Sequence, residues 1–301
     1  MMNNELDINE FFHILYERVF MMIFIVVISC LIALIIALST PNKYVSSALL
    51  ASSNEGSSFS NSLGGLSNFA GIAGISLPKE PTDKSIEAME RIKSFNFFSK
   101  NFLQYIKLED LYAAEGWNQS NNQLKYNAEL FDANSRKWVR KTDSPEKKIP
   151  SNQEAYAKYK KLMSISQDNK TNFFTLSIEH FSPYIARDWV DIIVKNINNE
   201  MRLIDQKIAM ESIDFLNANS EKTNINELKE VINNLLEKQM QNLMLSSSRE
   251  DYIFTVIQPA ISPEEKSYPR RSLIMIIGFI TGLVISILFA LVMNYWKKDA
   301  T

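Results

Sequence analysis

Two long runs of uncharged residues constrain this chain more than any other feature of its sequence. Residues 273–293 form the longer run, and a helix of that length reaches roughly 31 Å, at about 1.5 Å per residue. That distance matches the hydrocarbon core of a bilayer. Residues 19–38 form a second run near the other end of the chain. We therefore expect two transmembrane helices that hold the protein in the lipid bilayer.

The first run has a cleaved signal peptide as its alternative interpretation, because Ala37-Leu38-Ser39 loosely resembles a cleavage site. The run is longer than the apolar core of a signal peptide, and the tail before it is acidic where signal peptides are positive. We therefore expect a retained anchor. Two spans place both termini on the same side of the membrane, but the charges that flank the spans do not decide which side.

Small side chains recur at every fourth position in both runs. They are Gly278, Gly282, Ser286 and Ala290 in the second run, and Ser29, Ala33 and Ala37 in the first. This spacing places each set on one face of a helix, where another helix backbone can come close. We expect the two strips to pack against each other. The alternative is that small residues are simply common in membrane helices.

A connector rich in proline leads into the second run and contains Pro259, Pro263 and Pro269. Proline lacks the amide donor that helices and central strands use, so this segment is neither. We expect a stiff link between a folded domain and the second membrane helix.

The residues between the two runs are numerous enough to bury a core of their own. We place an N-terminal tail and the first transmembrane helix at residues 1–40. The folded domain, with a long helix and the proline-rich connector, spans residues 41–271, and the second helix and a short tail span 272–301. The domain has no excess of basic residues, which argues against a nucleic acid partner.

Apolar periodicity predicts an α+β domain with a long helical extension, anchored by the two transmembrane helices. Strands are predicted at residues 44–52, 172–180 and 251–257, with a further candidate at 124–131, and the first and last strands would pair. Helices are predicted from Thr82 or Asp83 to Tyr105, from a Ser151 cap to about Met163, from Pro183 to about Ala218, and from an Asn224 cap to Leu245. The last two, interrupted at 217–224, would form a long column.

The sequence contains no recognised constellation for catalysis, a cofactor or a metal. His13 and His180 lie outside any metal-ligand pattern, and the glycine-rich residues 54–81 lack the ending of a phosphate-binding loop. A basic cluster around Trp138 could bind phosphate or sugar, although such a patch is more often a solvated loop. Its members are Arg136, Lys137, Arg140 and Lys141. We therefore expect no catalytic, cofactor-binding or metal-binding residues, and a protein that is not an enzyme.

Several motifs in a fixed order carry a resemblance to a known family. They are Leu6-Asp7-Ile8 before the first span, Pro41-Asn-Lys-Tyr44 with its strand, the small and apolar residues 63–74, the long interrupted helix, and Val256-Ile-Gln-Pro259-Ala with Pro263 and Pro269 before the second span. The last motif is the most specific. Together they resemble the Wzz-type chain-length determinants, the polysaccharide co-polymerases of bacterial inner membranes.

This resemblance implies that the central domain is periplasmic and both termini are cytoplasmic. It implies a ring-shaped homo-oligomer that sets the modal length of lipopolysaccharide O-antigen, or of a related polysaccharide, made by a membrane polymerase. As a mechanism, we hypothesise that the polymerase or the growing glycan contacts the assembled ring. Larger relatives carry a cytoplasmic tyrosine kinase domain after the second span. We expect none here, because only residues 294–301 follow that span.

Two other functions remain as alternatives. One is a co-polymerase for capsule or exopolysaccharide export that partners a separate tyrosine kinase. The other is a sensory receptor with a periplasmic ligand domain. A receptor would need a cytoplasmic output module, for which the short tail gives no room.

Overall fold

The computed structural model of the protein describes residues 16, 18–53, 84–142, 145–222, 226–248 and 251–299. It divides into two compact units, Met1–Lys43 together with Lys266–Thr301, and Tyr44–Glu265. The glycine-rich segment and the caps predicted at Thr82, Asp83 and Asn224 lie outside the described residues, as do His13 and the Leu6-Asp7-Ile8 motif. The boundaries predicted at 1–40, 41–271 and 272–301 stay predictions.

The described part of the chain alternates helices with short strands. In order, the elements are α1 (Val19–Ser39), β1 (Tyr44–Ser52), α2 (Lys84–Lys93), α3 (Leu108–Tyr112), β2 (Ala114–Asn118), β3 (Gln123–Tyr126), β4 (Phe131–Asp132), β5 (Lys137–Trp138), α4 (Asn152–Leu162), β6 (Met163–Gln167), β7 (Phe174–His180), α5 (Pro183–Lys222), α6 (Asn226–Ser248), β8 (Phe254–Gln258) and α7 (Arg271–Asp299). The fold is α+β with long helices and an apolar helix near each end, as the sequence predicts.

The first unit consists of α1 and α7, which pack as a pair. Both helices are long and apolar enough to cross a bilayer. They run antiparallel, because Arg18 before α1 donates to the carbonyl oxygen of Met293 near the end of α7, at 3.4 Å. At the other end of the pair, Lys43 and Tyr268 form an isolated antiparallel bridge. Backbone hydrogen bonds therefore link the residues that follow α1 to the residues that precede α7.

The second unit is built on a four-stranded antiparallel sheet with the order β6-β7-β1-β8. The central pair, β1 and β7, runs from Tyr44 opposite His180 to Leu50 opposite Phe174. The predicted pairing of the first and last strands is confirmed, with Ser52 opposite Phe254. Strand β6 is an addition that the sequence analysis did not predict.

The core lies between one face of this sheet and α5. Strand β7 alternates buried and half-buried residues, so that Leu176 and Ile178 point into the core. Helix α5 contributes Trp189, Ile193 and Ile197 from its apolar stripe. Full burial of an aliphatic or aromatic side chain contributes about 1.5–3 kcal/mol, so this interface supplies much of the unit's stability.

The single helix predicted to end at Tyr105 is wrong beyond Lys93. The hydroxyl of Ser94 accepts the amide of Phe97 at 3.2 Å and caps a new short helix, Phe95–Phe97. A π-turn, Phe98–Phe102, and a 3₁₀ turn, Leu103–Tyr105, follow. This break turns the buried rings of Phe98 and Phe102 toward Tyr159 of α4, with ring centroids 5.1 and 4.9 Å from the tyrosine ring.

Several other predicted boundaries also differ from the structure, and the strand predicted at residues 251–257 is observed at Phe254–Gln258. Helix α5 continues to Lys222 and is not interrupted at residue 217. Within it, the Asn219 side chain donates to the Phe215 carbonyl oxygen of the same helix at 2.7 Å. The strand predicted at residues 124–131 is divided between β3 and β4. Helix α4 is confirmed together with its Ser151 cap, which forms a full capping box with Glu154.

Candidate functional site in the paired apolar helices and the connector

The two strips of small residues face inward in the helix pair. The inward-facing residues are Gly278, Gly282, Ser286 and Ala290 of α7, all buried, and Ala33 and Ala37 of α1, also buried, with Ser29 half-buried. The large apolar side chains point outward, as Ile280 and Ile285 do with more than half of their surface exposed. The structure thus brings the two strips together, while their functional role stays a prediction.

A side chain added at either glycine has no room. A Cβ on Gly278 would overlap the Cβ of Ala33, and a Cβ on Gly282 would lie 2.7 Å from the Cβ of Ser29. Carbon atoms in contact need about 3.5–4.0 Å, so even an alanine would push the helices apart by about 1 Å. The close approach of α1 and α7 therefore depends on the absence of side chains at Gly278 and Gly282.

Ser29 adds a hydrogen bond between the two helices. Its hydroxyl donates to the carbonyl oxygen of Gly278 at 2.7 Å. The hydroxyls of Thr281 and Ser286 instead donate to carbonyl oxygens of α7 itself. Hydrogen bonds between membrane helices contribute on average about 0.6 kcal/mol, so the bond from Ser29 supplements the packing and does not dominate it.

The connector forms neither a helix nor a strand over residues 259–270, as its prolines predict. Near Pro259, the Ile261 carbonyl oxygen accepts the Ser46 hydroxyl at 2.7 Å, which holds the segment to β1. Before Pro269, the Tyr268 carbonyl oxygen accepts the Lys43 amide at 2.9 Å. Pro263 lies half-buried between these two attachments. The roles assigned to the three prolines stay predictions.

A polar contact that the sequence analysis missed holds α5 to the last strand. The buried Asn198 side chain accepts the amides of Ile253 and Phe254 through Oδ1, at 2.9 and 2.8 Å, and donates through Nδ2 to the Phe254 carbonyl oxygen at 2.9 Å. The available signal was an asparagine within the apolar stripe, next to Ile197. A buried polar side chain at such a position needs partners, and here the backbone supplies them.

His180 is buried and acts as a structural hydrogen-bonding group. Its Nδ1 accepts the Ser182 amide at 3.1 Å, which leaves Nε2 to donate to the Asp110 carbonyl oxygen at 3.0 Å. These two partners fix one neutral tautomer. Burial lowers the pKa of His180 to about 4, so the ring is uncharged at neutral pH. Among the described residues, no group of His, Cys, Asp and Glu could hold a metal ion.

The expectation of a solvated basic loop is wrong for Arg140. Its guanidinium forms a two-pronged ion pair with Glu154, with both N–O distances 2.9 Å, and donates to the carbonyl oxygens of Lys147 and Lys148. The bond from Arg140 lowers the pKa of Glu154 to about 2. Trp138 packs against Phe131, with ring centroids 5.2 Å apart. Arg136, Lys137 and Lys141 are exposed, as expected.

A comparison with protein-family models finds one match. Residues 4–101 match the model of the chain length determinant protein family, Wzz. This region includes α1, β1 and α2, and therefore the Ser29, Ala33 and Ala37 strip. No curated protein matches the chain.

Two solved structures of polysaccharide co-polymerases match the chain with low TM-scores and low sequence identity. A full-length bacterial polysaccharide co-polymerase is 12% identical, with a TM-score of 0.40 and coverage of 98% of this chain and 99% of that one. A fragment of the polysaccharide co-polymerase WzzB from Salmonella Typhimurium is 12% identical, with a TM-score of 0.29 and coverage of 75% and 100%. The match over residues 4–101 confirms the resemblance to the Wzz-type chain length determinants in that part of the chain.

Proposed function

We propose that this protein is a non-enzymatic regulator of polysaccharide chain length in the bacterial inner membrane. The observation that carries the proposal is the family match over residues 4–101, which begins before the first apolar helix and continues past β1. The pair α1 and α7 supports the membrane location, since each helix is long and apolar enough to span a bilayer. The domain between them is periplasmic in this proposal, and both termini are cytoplasmic.

The protein acts as a scaffold that assembles into a ring of identical subunits. Exposed apolar residues on the long helices support self-association, because a soluble surface rarely leaves so many uncovered. On α6 they are Leu228, Val231, Leu235, Met240 and Met244, and on α5 Leu203, Ile208 and Phe215. Ile232 of α6 is buried, so the exposed set is distinct from the face that α6 packs within its own chain.

The assembled ring contacts a membrane polysaccharide polymerase and the growing glycan, and thereby sets the modal length of lipopolysaccharide O-antigen. Deleting the gene tests this function, with the glycan separated by size and silver-stained. We expect the modal cluster of lengths to disappear, and plasmid-borne wild-type protein to restore it. An unchanged O-antigen ladder would contradict the proposal. Loss of capsule or exopolysaccharide instead would favour the alternative co-polymerase for export.

A pair of matched variants tests the link between assembly and length. Val231→Asp places a charge on the exposed apolar face of α6, whereas Asn233→Asp places the same charge on another face of that helix. We expect only Val231→Asp to reduce cross-linked oligomers and to change the glycan ladder. Equal behaviour of the two variants would contradict assembly through this face.

A further inference from the structure

An aromatic cluster lies at the end of the sheet where the chain arrives from α1. The ring of Trp117, in strand β2, contacts Tyr44 and Tyr184 edge-on, with centroid distances of 5.5 and 6.1 Å. Tyr44 is the first residue of β1 and pairs with His180, the last residue of β7. Tyr184 lies four residues after His180, in the first turn of α5. The three rings, here called the Trp117 cluster, therefore gather at one end of the sheet.

Chain length limits how far this cluster can be from the membrane. Helix α1 ends at Ser39, and β1 begins with Tyr44. A step of five residues spans at most about 18 Å when fully extended. The headgroup layer adds about 5–8 Å to each side of the hydrocarbon core, so a fully extended connection would place Tyr44 at most about 10–13 Å beyond this layer, and any bend brings it nearer.

The surface of the cluster suits the layer between lipid and water. Tyr184 has 45% of its surface exposed, Trp117 is half-buried, and the turn after β2 is exposed. Tryptophan and tyrosine combine an apolar ring with a polar group, which is why they concentrate at membrane interfaces. Glu115 and Lys125, on the two strands of the hairpin, are both exposed and opposite in charge. Because these two charges balance, the hairpin does not need charged lipids, and we take headgroups without net charge as its partner.

We propose that the β2–β3 hairpin, through Trp117 and with Tyr184 beside it, rests in the lipid headgroup layer and serves as a third membrane contact of this protein. The proposal requires only that α1 spans the bilayer, and it does not depend on the glycan that the protein regulates. A sugar-binding platform is the other use of exposed aromatic rings. It is less favoured because tyrosines enclose Trp117 on two sides and its indole N–H already donates to Asn122 at 2.9 Å.

Tryptophan fluorescence of the full-length protein in phosphatidylcholine vesicles tests the proposal. The chain has four tryptophans, so the Trp117 contribution is the difference between wild type and Trp117→Phe, a change that keeps a ring in place. The quencher is a lipid that carries a nitroxide on its headgroup. We expect this lipid to remove about half or more of the Trp117 contribution, because an interfacial tryptophan lies beside the headgroups.

A matched variant moves the fluorescent tryptophan from position 117 to position 215, in the part of α5 farthest from Pro183. Phe215 is 68% exposed and lies 32 residues after Pro183, about 48 Å along the helix. In the double variant Trp117→Phe/Phe215→Trp, we expect the headgroup nitroxide not to quench the fluorescence that the substitution at position 215 adds. Equal quenching at the two positions would overturn the proposal. So would a Trp117 contribution that resists the nitroxide lipid but changes when soluble polysaccharide is added, since that result assigns the cluster to glycan.

Discussion

The hydroxyl of Ser29 donates to the carbonyl oxygen of Gly278 at 2.7 Å and joins α1 to α7 beside the two glycines that have no room for a Cβ. Ser39, in the last turn of α1, donates instead to the Ile35 carbonyl oxygen of its own helix at 2.7 Å. The two serines thus make similar bonds, but only the bond from Ser29 links the helices. This difference supplies a direct test of the helix contact.

We expect Ser29→Ala to weaken the helix pair by about 0.6–1.7 kcal/mol, the range for hydrogen bonds between membrane helices. Ser39→Ala should have a smaller effect, because its bond lies within one helix. The measurement is unfolding of the full-length protein in mixed micelles with increasing SDS, followed by circular dichroism. Equal losses for the two variants would contradict a role for Ser29 between the helices.

Replacing both Gly278 and Gly282 by leucine should separate α1 from α7, because neither position has room even for a Cβ. We expect fewer cross-linked oligomers and a shifted distribution of glycan lengths. The control is Ile280→Leu together with Ile285→Leu, two outward-facing positions of the same helix. An unchanged cross-linking pattern and glycan ladder in the glycine variant would refute the functional role of the strip.

Asn198→Leu should destabilise the α+β unit by about 2–4 kcal/mol, since it leaves the buried amides of Ile253 and Phe254 without an acceptor. For a unit of this size, we expect the melting temperature to fall by about 5 °C or more. The neighbouring Asn199 is exposed and bonds only to Arg202 among the described contacts, so Asn199→Leu is the control. A control that melts as early as Asn198→Leu would argue against the buried contact.

Protonation of His180 should destabilise the protein in mild acid. Its pKa is lowered from 6.5 to about 4 in the folded protein, so the unfolded chain binds the proton more readily. The favourable contribution is fully present above pH 6.5 and decreases as the pH falls toward 4, by about 3 kcal/mol in total. Comparing melting temperatures of wild type and His180→Gln across this range isolates the effect. Parallel pH curves for the two proteins would contradict it.

Arg140→Lys should loosen the loop at residues 145–151, because lysine cannot reproduce the two-pronged bond to Glu154 together with the bonds to the carbonyl oxygens of Lys147 and Lys148. We expect faster hydrogen exchange in this loop and little change elsewhere. The same substitution at the exposed Arg136 is the control. Unchanged exchange in the Arg140 variant would show that other contacts hold the loop.

The sequence by itself determined the elements whose signals are local. The two apolar helices follow from the absence of charge over residues 19–38 and 273–293, and helix α4 follows from the Ser151 cap with Glu154 three residues later. The proline spacing correctly excluded regular structure from residues 259–270. Each of these features depends on side chains a few residues apart, so the tertiary fold has little opportunity to override them.

Only the tertiary structure decided which distant residues meet. Strand β6 is too short to stand out from its sequence, and it exists because β7 offers an edge with which it can pair. The break at Ser94 lets Phe98 and Phe102 reach Tyr159, and the Asn198 side chain bonds to the backbone of Ile253 and Phe254, 55 and 56 residues away. Periodicity identifies which face of an element is apolar, but the partner of that face is chosen by packing across the whole unit.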